Sequence, residues 1–185
     1  MPPKVKITKQ QIVTAALELV RKGSAESINA RAVANALNCS TQPVFSNFET
    51  MDDLRSAVVE VSQALYDDYT TQEIASGKYP VYKATGMAYI RFAQDEPELF
   101  KLLFMRDTSN EIKPSLSKEI LEIVHNNTGL THQSAELFHL EIWAFVHGIA
   151  TMLATNYLEL DTALISDMIT DVYQGLRNRY QAKEQ

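Results

Sequence analysis

The sequence predicts an all-α protein: a three-helix head of the helix-turn-helix kind, then a longer helical body, about nine helices in total. Three observations carry this. Apolar residues recur at three-to-four spacing through almost every segment, and no stretch alternates convincingly as a strand would. Only six Gly and six Pro occur in 185 residues, which leaves few places to break a helix. Charge is also unevenly divided. Six Lys/Arg and two acids up to Phe48 give the head +4, while eleven Lys/Arg and twenty-one acids beyond it give the rest −10. The net charge of −6 argues against a nucleic-acid partner, but a basic head on an acidic body fits a chain that approaches phosphates with one end.

Each element has a readable start. Thr8 and Gln11 form a capping box, after which Ile12, Ala16, Leu19 and Val20 make one apolar stripe that Gly23 closes. Asn29 caps a short second helix containing Val33, Ala34 and Leu37. Asn38 tolerates the left-handed conformation of a tight turn. Ser40 is expected to cap a third short helix, with Pro43 among its early positions, where a missing amide costs nothing. Thr50 with Asp53 caps a fourth helix running towards Gly77. Pro80 opens a helix to about Gln94, and Pro97 opens Glu98 to Met105. Arg106 to Lys113 reads as a polar loop, and Pro114 begins a helix ending near Gly129. Thr131 starts a long helix to about Glu159, and Asp161 caps a final one to about Tyr180. The expected domains are residues 1–50 and 51–185.

Composition is that of an ordinary globular protein, with 45% hydrophobic and 22% charged residues. The most apolar run, Ile142 to Leu153, is shorter than the roughly 20 residues that span a bilayer, so no membrane partner is expected. No apolar leader follows the N-terminal charges, and the single Cys39 suits a reducing compartment; the expectation is a cytoplasmic protein. No nucleophile–base signature and no phosphate-binding glycine loop is visible, so neither an enzyme nor a cofactor is indicated.

The head carries the sharpest functional signal. Two short helices of about eight and six residues, joined by a turn of about three, form the layout whose second helix enters a DNA major groove. Ile12, Ala16, Leu19, Ile28, Val33, Ala34, Leu37, Val44 and Phe48 suit its packing core, leaving Thr41, Gln42, Pro43, Phe45, Ser46 and Asn47 on or near the recognition helix. Gln42 can pair bidentately with adenine, and Thr41 can donate, accept or touch a thymine methyl. Pro43 offers apolar contact. Ser46, Asn47, the amides at Ser40 and the arm Lys4, Lys6 and Lys9 are placed for phosphate oxygens. A hairpin used only for packing is the competing explanation, but it does not account for so many polar residues beside a basic arm.

The run Ile28–Ala34 followed by Ser40–Phe48 resembles the TetR family of bacterial regulators, whose pattern is roughly T-x-R-x-I-A, then G-V-S-x-x-x-L-Y-x-H-F-x-x-K-x-x-L. The spacing matches without insertion to Leu54. The resemblance implies a phosphate contact at Asn29 and an approach to base or backbone by Arg31. Departures bear on affinity: the family Tyr is Phe45, its His is Asn47, its Lys is Met51, its turn Gly is Asn38 and its leading Thr is Asn29.

In the body, Leu164, Ile165, Met168, Ile169, Val172, Tyr173 and Leu176 form a wide apolar face, as do Val146, Ile149, Leu153 and Tyr157 on the preceding helix. The TetR resemblance implies that these two helices pair across a homodimer, although the same faces also suit packing within one chain. A palindromic double-stranded operator matches such a two-fold, with recognition helices roughly 34–36 Å apart. Glu141 to Gly148, with Trp143 and His147 one turn apart, is similar to the Trp-His-Gly subclass of TetR C-terminal domains, as is Pro97 to Phe100. Tyr66, Met87, Ile90, Phe104, Trp143 and His147, with Tyr69, Tyr89 and Phe92, are candidates to line a pocket for a partly apolar small-molecule effector, or to be plain core. The implied function is a repressor that a ligand releases from its operator.

A second reading is a metal-dependent helical-bundle oxidase. Glu122/His125 and Glu136/His139 are both Glu-x-x-His, the spacing that di-iron bundles use twice, and His132 could join Glu136 and His139 on one helix face. Both pairs flank Gly129 with no long helix between them to supply another Glu, which counts against it. On the DNA-binding reading, Phe45 and Met51 lack the hydroxyl and ammonium that would neutralise or grip phosphates. The expected dependence of log affinity on log salt is therefore shallower than about −8, measurable by titration at several salt concentrations.

Overall fold

The computed structural model describes residues 7–106 and 118–184. Among these the chain is all-α, with nine α-helices, one short 3₁₀ turn and no strand. Lys4, Lys6, most of the expected polar loop and Pro114 lie outside the described residues.

The helices are α1 (Lys9–Lys22), α2 (Ala30–Ala36), α3 (Gln42–Asn47), α4 (Met51–Ala75), α5 (Val81–Asp95), α6 (Pro97–Phe104), α7 (Lys118–Thr128), α8 (His132–Ala154) and α9 (Thr162–Lys183). They cluster into two compact units. Among the described residues, the first takes 7–67 together with Glu96–Arg106, and the second takes Asp68–Asp95 and 118–184.

Local chemistry sets most boundaries. The Thr8 hydroxyl accepts from the Gln11 amide at 3.2 Å while Gln11 Oε1 accepts from the Thr8 amide at 2.9 Å. Asn29 Oδ1 caps α2 through the Ala32 amide at 2.9 Å. The Thr50 hydroxyl and the Asp53 carboxylate cap α4 reciprocally. Asp161 Oδ1 caps α9 at the Ala163 amide, 2.7 Å away. Asn38 turns the chain between α2 and α3 at φ +50°, a conformation an asparagine adopts at little cost.

Two expected limits move. Ser40 does not cap α3: the N-cap position is Thr41, whose own φ and ψ are already helical, and no side chain closes that end. The eighth helix stops at Ala154 rather than near Glu159, because Asn156 takes φ +53° and the Thr155 hydroxyl bonds back to the Thr151 carbonyl.

In the first unit, Ile12, Ala16 and Val20 of α1 meet Val33, Ala34, Val44 and Phe48, all buried. Helix α6 packs on α1 in the same unit, and Glu96 forms a two-pronged ion pair with Arg21 at 2.6 and 2.8 Å. In the second unit, α8 is the central helix, packed on α5, α7 and α9. By length and composition α8 could cross a bilayer, but Phe138, Ile142, Val146, Ile149, Ala150 and Leu153 are buried against its neighbours, as in a core helix.

Phe138 is fully buried and meets the Tyr173 and Tyr180 rings edge-on at 5.3 and 6.2 Å. Phe138→Ala is expected to cost about 3–5 kcal/mol through lost transfer energy and the cavity left behind, read by urea unfolding.

Candidate nucleic-acid interface and body cavities

The third helix is short, and its buried side is slight: Val44 alone is enclosed within it, with Phe48 buried just beyond. Everything else on α3 turns outward or half outward. Gln42 and Ser46 are exposed, and so is Phe45, at 57%. Thr41 and Pro43 are half-buried at the start, and Ser40 is exposed just before them.

Not every candidate is equally available. The Ser46 hydroxyl donates to the Gln42 carbonyl at 2.8 Å, and Asn47 Nδ2 donates to the Pro43 carbonyl at 2.8 Å. Both side chains therefore lie back along their own helix, with lone pairs still open and a donor engaged. Asn29 is committed to capping α2, with its Nδ2 on the Ser27 carbonyl at 3.4 Å. Arg31 is exposed on α2 and pairs with no carboxylate among the described residues. Lys9 sits 5.0 Å over the Phe48 ring, which ties the basic start of α1 to the end of α3.

Of the nine aromatic and apolar candidates, Tyr66 and Phe104 belong to the first unit and the other seven to the second. Tyr66 and Phe104 meet edge-on at 5.2 Å within the first unit. In the second unit, Phe92 is fully buried beneath Tyr69. Met87 and Ile90 are buried and edge a cavity of about 330 Å³ that also contains Gln72, Glu73 and Arg91. Trp143 is 46% exposed and stacks on His147 at 4.9 Å, and Nδ1 of that histidine meets the Tyr89 hydroxyl at 2.8 Å.

A larger cavity of about 460 Å³ opens among α5, α8, α9 and the end of α7, walled by Tyr82, Lys83, Gly86, Ile142, Val146, Ile169, Thr170, Tyr173 and Arg177 among others. Tyr66, Met87, Ile90, Phe104, Trp143 and His147, the pocket residues expected from the sequence, do not line it. One signal was available: Lys83 falls on the same stripe of α5 as Gly86, Met87 and Ile90, a cation inside an otherwise apolar face.

The expected seam residues divide. Val146, Ile149, Leu153, Ile165 and Ile169 are buried within the single chain. Met168, Val172, Tyr173 and Leu176 are half-exposed, while Tyr157 and Leu164 are exposed at 76% and 49%. Sequence reasoning missed Leu137 and Leu140, each 49% exposed on α8, because hydrophobic periodicity names an apolar residue without saying which side of the helix is covered.

The two Glu-x-x-His pairs are not brought together. His139 Nδ1 bonds the Tyr82 hydroxyl at 2.8 Å, His125 Nδ1 meets the Leu130 carbonyl at 2.5 Å, and Glu122 and Glu136 are exposed. No three His, Cys, Asp or Glu side chains cluster for a metal among the described residues. The bundle-oxidase reading fails on that geometry, since a di-iron site needs both pairs to converge.

Against known proteins, residues 82–173 match the family described as tetracyclin repressor-like, C-terminal domain. No curated protein matches the chain. The likeness covers just under half of the chain and lies wholly within the helical body.

Burial holds the pKa of both His139 and His147 below the usual 6.5. The unfolded chain therefore takes up these protons at a higher pH than the folded one. Stability is unaffected by them above about pH 6.5 and declines as pH falls below it. Thermal midpoints measured between about pH 7.5 and 5.5 should fall, and His139→Gln should flatten that decline.

Proposed function

We propose that this chain is a sequence-specific DNA-binding transcriptional regulator, acting as a homodimeric repressor that a small-molecule effector releases from a palindromic operator. The observation that carries the reading is the exposed side of α3. Gln42, Phe45 and Ser46 face outward and Val44 and Phe48 anchor the helix from beneath, while on α2 Arg31 is exposed and pairs with no carboxylate among the described residues. The Phe45 ring, 57% exposed, adds an apolar contact to that otherwise polar surface. The tetracyclin repressor-like match of the body supports the same conclusion from the other end of the chain.

In this reading the head, residues 1–50, docks α3 in the major groove. Thr41, Gln42 and Pro43 read base edges, and Phe45 supplies apolar contact. Ser40, Ser46, Asn47, Arg31, Asn29 and the Lys4 and Lys6 arm hold the backbone. The body, from residue 51, supplies the two-fold. Six of the nine exposed large hydrophobics among the described residues (Leu137, Leu140, Trp143, Tyr157, Leu158 and Leu164) belong to α8, α9 and their connection. That concentration of exposed apolar surface suits a second copy of this chain. The Trp143–His147 stack with Gly148 supports the Trp-His-Gly subclass as the finer placement of the body.

Helix α4 runs unbroken from Met51 to Ala75, through the Asp67–Asp68 boundary of the two compact units. A shift of this helix on effector binding would change the spacing of two recognition helices, and the response is set by the effector's differential affinity for the two states. The site of action is the cytoplasm.

Selection of bound sequences from random duplex DNA tests the proposal. The expected result is a palindrome with half-sites about one helical turn apart. Gln42→Ala should lose about 1–3 kcal/mol of discrimination at one base position, whereas Arg31→Ala should weaken all sequences alike. Failure to enrich any palindrome would sink the reading.

A further inference from the structure

The 460 Å³ cavity of the second unit has an electrostatic character opposite to that of the chain around it. From Glu49 onward the sequence carries −10, yet among the described residues the charged ones on the cavity wall are Lys83 and Arg177, with no carboxylate. Lys83 is half-buried on α5. Its Nζ donates to Ser166 Oγ and Thr170 Oγ1, each at 2.7 Å, and lies 5.0 Å from the centre of the Tyr79 ring. Two hydroxyls and a ring face position the ammonium, but none of them neutralises it. A partly buried charge without a counter-charge is an unfavourable arrangement in a core. Arg177 is exposed at the same cavity, and among the described residues it pairs with no carboxylate.

The remaining wall is largely apolar. Ile142, Val146 and Ile169 contribute aliphatic surface, and the Tyr82 and Tyr173 rings stand 6.1 Å apart. The hydroxyl of Tyr82 is already engaged by His139 at 2.8 Å, leaving its ring as the surface offered to the cavity. Gly86 adds no side chain, and a Cβ there would already touch Val146 at 3.6 Å. The volume falls within the range of roughly 300–1,000 Å³ typical of small-molecule sites.

We infer that this cavity binds an amphipathic organic anion, with a carboxylate held by Lys83 and Arg177 and an alkyl or aromatic body against Ile142, Val146, Ile169 and Tyr173. Charge-assisted bonds from an ammonium and a guanidinium supply orientation, and the apolar wall supplies most of the affinity. Identification of this anion as the effector rests on the regulator reading; its binding and charge selectivity do not.

Calorimetry on the full chain with decanoate and 2-naphthoate, each against its neutral amide, tests the site. At least one carboxylate should bind, and its amide should bind roughly tenfold more weakly. Lys83→Met should weaken the carboxylate by about tenfold while leaving the amide unchanged, and Arg177→Met should weaken it by a smaller factor. Arg177 is exposed, so its variant keeps the test decisive if Lys83→Met fails to fold, which circular dichroism would reveal. Binding of neither carboxylate, equal binding of the amides, or indifference to both variants would overturn the inference. Displacement by sulfate alone at equal concentration would reduce the cavity to a simple ion site and also overturn it. DNA binding, measured separately, distinguishes the two readings. Anion selectivity with no DNA binding sinks only the regulator, and DNA binding with no anion selectivity sinks only this site.

Discussion

The body depends on the burial of one side of α8. Phe138, Ile142, Val146, Ile149 and Leu153 follow one another down that helix at three- and four-residue steps, and all are enclosed. Facing them, α5 supplies Tyr82, Gly86 and Tyr89, which meet Phe138 and His139, Val146, and His147 in turn, and the absence of a side chain at Gly86 lets the helices approach closely. Because one side of α8 is occupied in this way, the opposite side, with Leu137 and Leu140, is left for solvent or a partner. The cavity lined by Lys83 follows from the same constraint, since it opens where α5, α8 and α9 diverge and Gly86 contributes no side chain.

The head is held together differently. Its core is small, and three short helices must share Ile12, Ala16, Val20, Val33, Ala34, Val44 and Phe48. Caps do much of the positioning. Thr8 with Gln11, Asn29, and Thr50 with Asp53 each satisfy amides that a short helix would otherwise leave unpaired. A six-residue helix held by Val44 and its flanking Phe48 can present most of its surface outward, which is what recognition of a groove requires. Asn29, Ser46 and Asn47 are committed to backbone partners, so on the proposed function few side chains are free to donate towards DNA. That throws weight onto Gln42 and Arg31.

Much of the fold was legible in the residues. Caps and breakers act within four or five positions, so Thr8, Asn29, Asn38, Thr50 and Asp161 announced their roles locally. Helical type and order followed from apolar periodicity, and the charge division singled out the head before any geometry was known. The site was legible only in part. The residues of α3 could be named, because removing its core positions left the remainder exposed.

What the sequence determined by itself, then, was the helical class, the order of the helices and the identity of the short exposed helix α3, since these depend on spacing and short-range hydrogen bonds. Only the tertiary structure decided which apolar face of α8 and α9 is covered inside the chain. Val146, Ile149, Leu153, Ile165 and Ile169 are indistinguishable by type from residues of an intersubunit seam, and their burial alone assigns them to the core. It also decided that Lys83 meets Ser166 and Thr170, more than eighty residues away, with no carboxylate paired to it among the described residues. Contacts at that separation arise from how helices stack, and no local pattern encodes them.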